Sequence, residues 1–434
     1  MVQQHVRGAQ ALAAGIAALP DTRSSASYTQ AAWRFLNNPR VTLPELARPL
    51  LSAAGPLLDE HCEGYGLVMH DWSRVNFGGH ASKVDRRQMT HKTDVGYELQ
   101  SSVLVSDVSG KPLAPVVHNL VNDTQVYSTM HKRPRPCEKH LDELSARLDW
   151  IDARGWNKPL IHIVDREADS VAHWREWSAQ GRCFLIRAKN APAVYFEGQQ
   201  VKPMDLAERL TYQRAGDVLY KGRPACQSVA EVRVVITRKA KPAQKVDGKR
   251  VAPIAGKPLA LRLVVSRIHD AQGKLLAHWL LLTNAPDAVD AQTIARWYYY
   301  RWQIESMFKL LKGAGQQMED WLLAVEHFRA NLAAKKRCQH GSKRDTAALT
   351  AIGQRIAPTP RQGYASPGCI RPQPALDPAT GLVPTSASKH FSGLKKGRRQ
   401  ISAEMGRHQH WLQDDAMAIA KRLVVASCAC VLVW

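Results

Sequence analysis

The stretch from Trp297 to Lys312, WYYYRWQIESMFKLLK, carries four polar or ionisable side chains at fixed intervals: Tyr298, Arg301, Glu305 and Lys312. It holds no Gly or Pro, and Ile304, Phe308 and Leu311 fall at helical spacing, which predicts one helix over the whole stretch. Steps of three, four and seven residues, at about 100° per residue, bring the four polar groups within an arc of roughly 60°. A carboxylate on that stripe can ligate a metal ion. The phenol, guanidinium and ammonium can each donate to phosphate oxygens. The plainer alternative is a solvated helix face with an Arg–Glu pair at i,i+4.

Two aspartates extend this chemistry. Leu160 to Val164, LIHIV, is a continuous apolar run, as in a strand buried on both faces, and Asp165 follows it directly. GYGLVMH, residues 64–70, is a short apolar run ending at Asp71. Ligands of open α/β sheets sit beyond the carboxyl ends of the strands, so the two aspartates could meet in one site with Glu305. Taken singly, either could instead cap a helix. His70 and His162 flank the acids and read as core or surface histidines.

The spacing Y-x2-R-x3-E-x6-K resembles the signature of the insertion-sequence-four group of DDE transposases, the bacterial group that includes the Tn-five transposase. HDW at His70 to Trp72 and VDREAD at Val164 to Asp169 are similar to two more motifs of that family. The resemblance runs from about Gln30 to Trp321. It implies an α/β fold: an RNase-H-like mixed sheet flanked by helices, with a β-rich insertion and a small helical N-terminal domain. It implies DNA cleavage and strand transfer at the ends of an insertion sequence, with Asp71, Asp165 and Glu305 as catalytic acids. These acids would also hold two Mg²⁺ (or Mn²⁺) ions, with Asp71 as the bridge. Such pairs lie roughly 3.5–4 Å apart and stabilise the attacking and leaving oxygens of an in-line displacement.

The same resemblance assigns DNA contacts. Tyr298, Arg301 and Lys312 would position phosphates. Arg34 lies in a segment, RFLNNP, similar to one in the family's N-terminal DNA-binding domain. Arg187 and Lys189 stand at the end of a strand-like run, FLIRAK. HWLLLTN places Trp279 where the family has a tryptophan that helps hold a flipped base; apart from the resemblance, Trp279 reads as a core residue. The implied partners are double-stranded DNA, both element ends and target, and a second copy of the chain in a homodimer on DNA. Two alternatives stay open: an interrupted, inactive remnant that only binds DNA, and an RNase-H-like metallonuclease, which would share the acids but not the Tyr–Arg–Lys stripe.

Charge is consistent with a polyanionic partner. The 434 residues include 60 Lys+Arg against 38 Asp+Glu, a formal charge of +22, and cations near phosphates release condensed counterions. A ribosomal-type or membrane-surface protein would show the same excess. The eight cysteines form no CxxC pair and no Cys/His ligand spacing. The longest apolar run, Leu423 to Trp434, is too short to span a bilayer. The N-terminus lacks a sustained apolar stretch of the kind a signal peptide carries. These features lead to the expectation of a reduced, cytoplasmic protein without a membrane span.

The elements that must position the acids follow from the remaining pattern. Residues 1–60 read as short helices separated by Pro and Ser clusters and are taken as a helical DNA-binding domain. Residues 61–190 make the first part of the catalytic core, with helices expected at Leu141 to Arg154 and Val171 to Gln180. Residues 191–290 form a β-rich insertion, and 291–321 contain the Glu305 helix. Residues 323–410 hold 15 Lys+Arg against 4 Asp+Glu, with seven prolines between Pro358 and Pro384, so 322–410 is expected to be a disordered basic insertion. Residues 411–434 read as a returning core helix, cut short by pattern.

Overall fold

The computed structural model describes residues 34–35, 38–78, 83–190, 193–240, 245–246, 249–250 and 252–312, with 416–417, 419–421, 423–424 and 427 from a helical segment near the C-terminus. The expected insertion at 322–410 lies outside the described residues.

The first long described helix, α1 (Leu43–His61), lies within the stretch where short helices are expected. It runs for 19 residues with Pro49 and Pro56 inside it. An interior proline removes a hydrogen bond and clashes with the preceding turn, at about 3 kcal/mol. Five residues offset this: Leu43, Ala47, Leu50, Ala54 and Leu58 form one buried stripe. They pack on the sheet, and α1 ends beside the expected boundary at residue 60. At its start the Thr42 N–H and hydroxyl both donate to the Glu45 carboxylate, at 3.1 and 2.8 Å.

The strands follow as β1 (Gly66–Asn76), β2 (Arg87–Gln88), β3 (Val95–Ser106), β4 (Pro112–Val121), β5 (Gln125–Ser128) and β6 (Arg135–Pro136). Then come α2 (His140–Asp152), β7 (Leu160–Val164), α3 (Val171–Ala179), β8 (Cys183–Arg187), β9 (Val194–Phe196), β10 (Gln199–Val201) and α4 (Pro203–Ala207). Next are β11 (Gln213–Tyr220), β12 (Arg223–Ile236), β13 (Lys245–Val246), β14 (Lys249–Arg250), β15 (Leu259–His269) and β16 (Leu275–Thr283). Two helices, α5 (Ala291–Tyr299) and α6 (Trp302–Lys312), follow.

Five strands form the centre in the order β4-β3-β1-β7-β8. β1, β3 and β4 are mutually antiparallel, and β7 and β8 run parallel to β1. This is the RNase-H-like mixed sheet, with helices on both faces. Beyond β8 the same sheet continues through β16, β15, β12, β9 and β10. Most described strands of residues 191–290 are therefore joined edge to edge with the core through the β16–β8 pairing, while β13 and β14 pair only with each other.

α2 and α3 cover one face, where Trp174 and Trp177 are fully buried. α5 and α6 cover the other, contributing Ile294, Trp297, Ile304, Met307, Phe308 and Leu311. Ala416, Ile419, Ala420, Leu423 and Val424 join this second cluster. The buried Lys421 ammonium donates to the Asn38 carbonyl at 2.8 Å. Among the described residues no helix is long and apolar enough to cross a membrane.

One glycine is set by close approach. Gly96 pairs with Asn76 where β1 and β3 meet, and a Cβ there would lie 2.1 Å from the Val75 carbonyl oxygen. Backbone cannot yield as a side-chain tip can. Gly96→Ala is expected to destabilise the domain by about 1–3 kcal/mol, seen as a lower urea midpoint at unchanged slope. A midpoint equal to that of the parent would show that the β1–β3 ladder relaxes without loss.

Candidate active site

Alternation along the strands decides which residues reach the site. Successive side chains point to opposite faces of a sheet. On β1, Leu67, Met69 and Val75 enter the cluster under α5 and α6, and Asp71 and Ser73 share their parity. On β7, Ile161 and Ile163 do the same, and Asp165 continues their parity. On β8, Leu185 does so, followed by Arg187. The parallel register pairs Met69 with Ile163 and Ile163 with Leu185. Carried two residues further along each strand, it sets Asp71, Asp165 and Arg187 in one row.

β1 does not end at Asp71, as its apolar run implies, but continues to Asn76. Its partner β7 does end at Val164. Asp71 is therefore held within a strand, while Asp165 begins a turn: its side chain accepts from the Glu167 N–H at 2.8 Å and caps the short 3₁₀ turn Arg166–Ala168. Its capping role and its place in the row coexist.

The predicted single helix over Trp297 to Lys312 is broken. α5 ends at Tyr299 and α6 starts at Trp302. Between them the Arg301 N–H bonds to the Tyr298 carbonyl at 3.1 Å, and the Gln303 N–H to the Tyr300 carbonyl at 3.0 Å, both three-residue steps in place of four. All four stripe residues still turn toward the sheet. The Arg301 guanidinium donates to Asp71 at 3.0 Å and to Glu305 at 2.5 Å. It also lies 5.9 Å from the Tyr298 ring centroid. Lys312 donates to the Ser73 hydroxyl at 2.9 Å and to the Arg74 carbonyl at 3.2 Å.

Asp71 and Glu305, 234 positions apart in the chain, thus share one guanidinium. Burial pushes the Asp71 carboxyl up to about 6, against the pull of Arg301 and of the Trp72 N–H; Asp165 and Glu305 add to the rise. Burial also opposes the charge on Arg301, but Tyr298, Asp71 and Glu305 outweigh it and hold the guanidinium charged. The Tyr298 hydroxyl is raised by burial, with Arg301 and Arg187 pulling the other way. Arg187 thus stands near the Tyr298 hydroxyl, in the row with Asp71 and Asp165.

Other expected contacts stand elsewhere. Trp279 is 5 % exposed and packs at 5.2 Å from Tyr298 and 6.5 Å from Tyr220. It stands at a core position, on the strand face covered by α5. Tyr298, 3 % exposed, is likewise buried and packs against Trp279 and Arg301. Lys189 is exposed, two residues beyond Arg187. Arg34 is exposed and helical.

A buried polar layer behind Asp71 escapes the sequence reading. The fully buried Arg147 pairs with Glu143 at 2.9 Å, donates to Ser102 at 3.3 Å and lies 5.7 Å from the Trp72 ring. Ser102 meets His70 Nδ1 at 2.9 Å, and His70 Nε2 meets His162 Nδ1 at 3.0 Å. Burial, then His162 and Arg147, hold His70 far below its ordinary range, so it is neutral. The available signal was Glu143 and Arg147 at i,i+4 beside Leu144 and Leu148, a charged pair on the apolar side of α2.

Among the described residues no group of three or more His, Cys, Asp or Glu side chains has the geometry to hold a metal ion. The donor chemistry nevertheless fits a hard divalent cation: oxygen ligands only, with Asp165 and Glu305 close enough to raise Asp71, in a place where Asp71 resists ionisation. A consequence follows for stability. An acid that ionises less readily when folded contributes stability that is full below about pH 4, its unfolded range, and lost as pH rises through about 6. Asp71→Asn should therefore gain on the parent between pH 4 and pH 7.5, by up to about 2–3 kcal/mol at 1.36 kcal/mol per unit. Denaturant titrations at the two pH values would show it; a difference independent of pH would remove Asp71 as the strained acid.

No curated protein matches the chain. Residues 139–322 match the model of a protein family described as the transposase DDE domain. The matched span contains Asp165, Glu305 and the Tyr298–Lys312 stripe, and Asp71 reaches them from outside it through the β1–β7 pairing. The segment from 139 to 322 is thus similar to a transposase DDE domain, and the RNase-H-like sheet sets Asp71 in one row with Asp165 and, through Arg301, beside Glu305.

Proposed function

We propose that the chain is a DDE transposase of the insertion-sequence-four family that cleaves DNA at the ends of its element and transfers the freed strand. The observation that carries this reading is the pairing of Asp71 on β1 and Glu305 on α6 with one guanidinium, with Asp165 near enough to raise the Asp71 carboxyl. The spacing of Tyr298, Arg301, Glu305 and Lys312 supports the finer family assignment. Asp71, Asp165 and Glu305 would hold two divalent cations, Mg²⁺ or Mn²⁺. When bound, these ions supply charge stabilisation to the attacking and leaving oxygens at phosphorus.

The chain's own groups have separate tasks. Asp71, fixed within β1, is the acid best placed to bridge. Asp165 is oriented by the Glu167 N–H. Arg301, Arg187 and Lys312 line the approach as donors for phosphate oxygens, and Lys189 and Arg34 are exposed cations for the flanking duplex. Two copies of the chain on one DNA would pair two element ends.

The test is direct. Purified protein is incubated with Mg²⁺ and duplexes carrying the element's terminal sequences, and strands are resolved on denaturing gels. Nicks confined to the terminal junctions and abolished by EDTA are expected. Cleavage anywhere along the duplex would favour a metallonuclease, and binding without nicks in either Mg²⁺ or Mn²⁺ would favour a DNA-binding remnant.

A further inference from the structure

We infer that Arg301 is a resident counter-cation of the acid cluster and that the DNA phosphate, by drawing its guanidinium away, makes room for the metal ions. Metal and DNA then bind cooperatively through one side chain. This rests on the transposase reading of the same site.

The geometry sets the argument. One guanidinium spans two of the three acids, at 3.0 Å from Asp71 and 2.5 Å from Glu305. Both carboxylates therefore spend an oxygen on an internal partner, and the described acids form no three-ligand metal group. A divalent ion on Asp71 and Glu305 must compete with a fixed positive charge within hydrogen-bond distance of both. Like charges at such range in a half-buried site repel strongly. With its side chain only 13 % exposed, Arg301 needs another anionic partner on leaving, because an unpaired buried charge is unfavourable.

A phosphodiester supplies that partner. The guanidinium fork matches phosphate oxygens as well as carboxylate oxygens. The backbone at Arg301 is suited to a swing: it lies at the break between α5 and α6, where the hydrogen bonds switch to three-residue steps. Tyr298 is packed beside it and offers its ring at 5.9 Å as a fixed wall. Lys312 cannot substitute at the acids, since it is bound to Ser73 and Arg74 of β1. Linkage requires reciprocity: if DNA strengthens metal binding, metal strengthens DNA binding by the same factor.

The experiment measures Mn²⁺ binding to the full chain by loss of the free-ion EPR signal, with and without a 30-base-pair duplex as probe. In the parent, the duplex is expected to tighten Mn²⁺ binding by about 5- to 150-fold, the usual range of coupling between sites. Arg301→Ala is expected to bind Mn²⁺ tightly without DNA and to show little further gain with it. Arg301→Lys, which keeps the charge but loses the fork, should fall between the two. Far-ultraviolet circular dichroism and melting temperature check that each variant is folded. If Asp71→Asn or Glu305→Gln binds Mn²⁺ as the parent does, the metal reading of the site is wrong. If those variants lose Mn²⁺ but a folded Arg301→Ala binds it no more tightly than the parent, the metal reading stands and the counter-cation role is overturned. Should Arg301→Ala not fold, an Arg301→Lys with the parent's DNA coupling overturns it equally.

Discussion

Alanine at Asp71, Asp165 or Glu305 is expected to reduce Mg²⁺-dependent DNA cleavage by at least about 10²–10³-fold, the scale of losing one preorganised electrostatic group. DNA binding should survive in each variant, because the cations that meet phosphate are other residues. The three losses should not add: any one removes a corner of the same site, and a double variant should be about as inactive as a single one. Arg301 adds a side effect. With Asp71 or Glu305 gone, its guanidinium has one acid partner in place of two, so Asp71→Ala and Glu305→Ala should alter thermal stability more than Asp165→Ala does. Single-turnover cleavage and a gel-shift titration of the same preparations would check this. A variant lacking one acid yet cutting at the parent's rate would remove that residue from the catalytic set.

Ending the chain after residue 410 is the second change with a large expected effect. Ala416, Ile419, Ala420, Leu423 and Val424 are all buried in the cluster that also holds Ile304, Met307 and Leu311. Loss of one buried Ile, Leu or Val side chain removes roughly 1.5–3 kcal/mol, and three leave together. That sum approaches the 5–15 kcal/mol that typically holds a domain folded. The surface left bare would belong to the cluster that also holds α5 and α6, the helices on either side of Arg301. The shortened chain should therefore be insoluble or melt far below the parent. A chain lacking only residues 323–410 should stay folded, and it should bind non-specific DNA more weakly because a net charge of +11 leaves with that segment. A stable shortened chain in thermal melts would mean that the buried helical residues contribute little.

Much of this architecture was legible from apolar runs. LIHIV is β7, and its flanking Asp165 is at the site; Phe184 to Ile186 sit in β8, with Arg187 next in the row. Such strands are buried on both faces, so their sequences carry no polar interruption to confuse the reading. β1 was legible only to His70. After Asp71 it runs through Trp72, Ser73 and Arg74, whose polarity suits contact with Lys312 and solvent but reads as a loop. α1 was hidden by Pro49 and Pro56, since local propensity argues against a helix that only tertiary burial sustains. The break at Tyr300 and Arg301 has no Gly or Pro to mark it. It belongs to the ion pairs that Arg301 makes with groups 230 and 4 positions away, and spacing along one segment cannot report the first of these. Trp279 illustrates the reverse limit: a motif fixes a position in the chain, while exposure depends on which neighbours cover it.

The bond from Lys421 to the Asn38 carbonyl spans 383 positions, and it has a bearing on how the molecule is made. α6 leaves the ribosome about a hundred residues before the buried helical residues Ala416 to Val424 that share its cluster. At roughly 5–20 residues per second of synthesis, the cluster waits on the order of 5–20 s for these residues. During that interval the part of the cluster that Ile419, Leu423 and Val424 complete stays open to whatever binds apolar surface, a chaperone or a neighbouring nascent copy. The last step in completing this core is then set by translation of the intervening segment, and the yield of folded chain should depend on elongation speed and chaperone supply as well as on the stability of the finished fold.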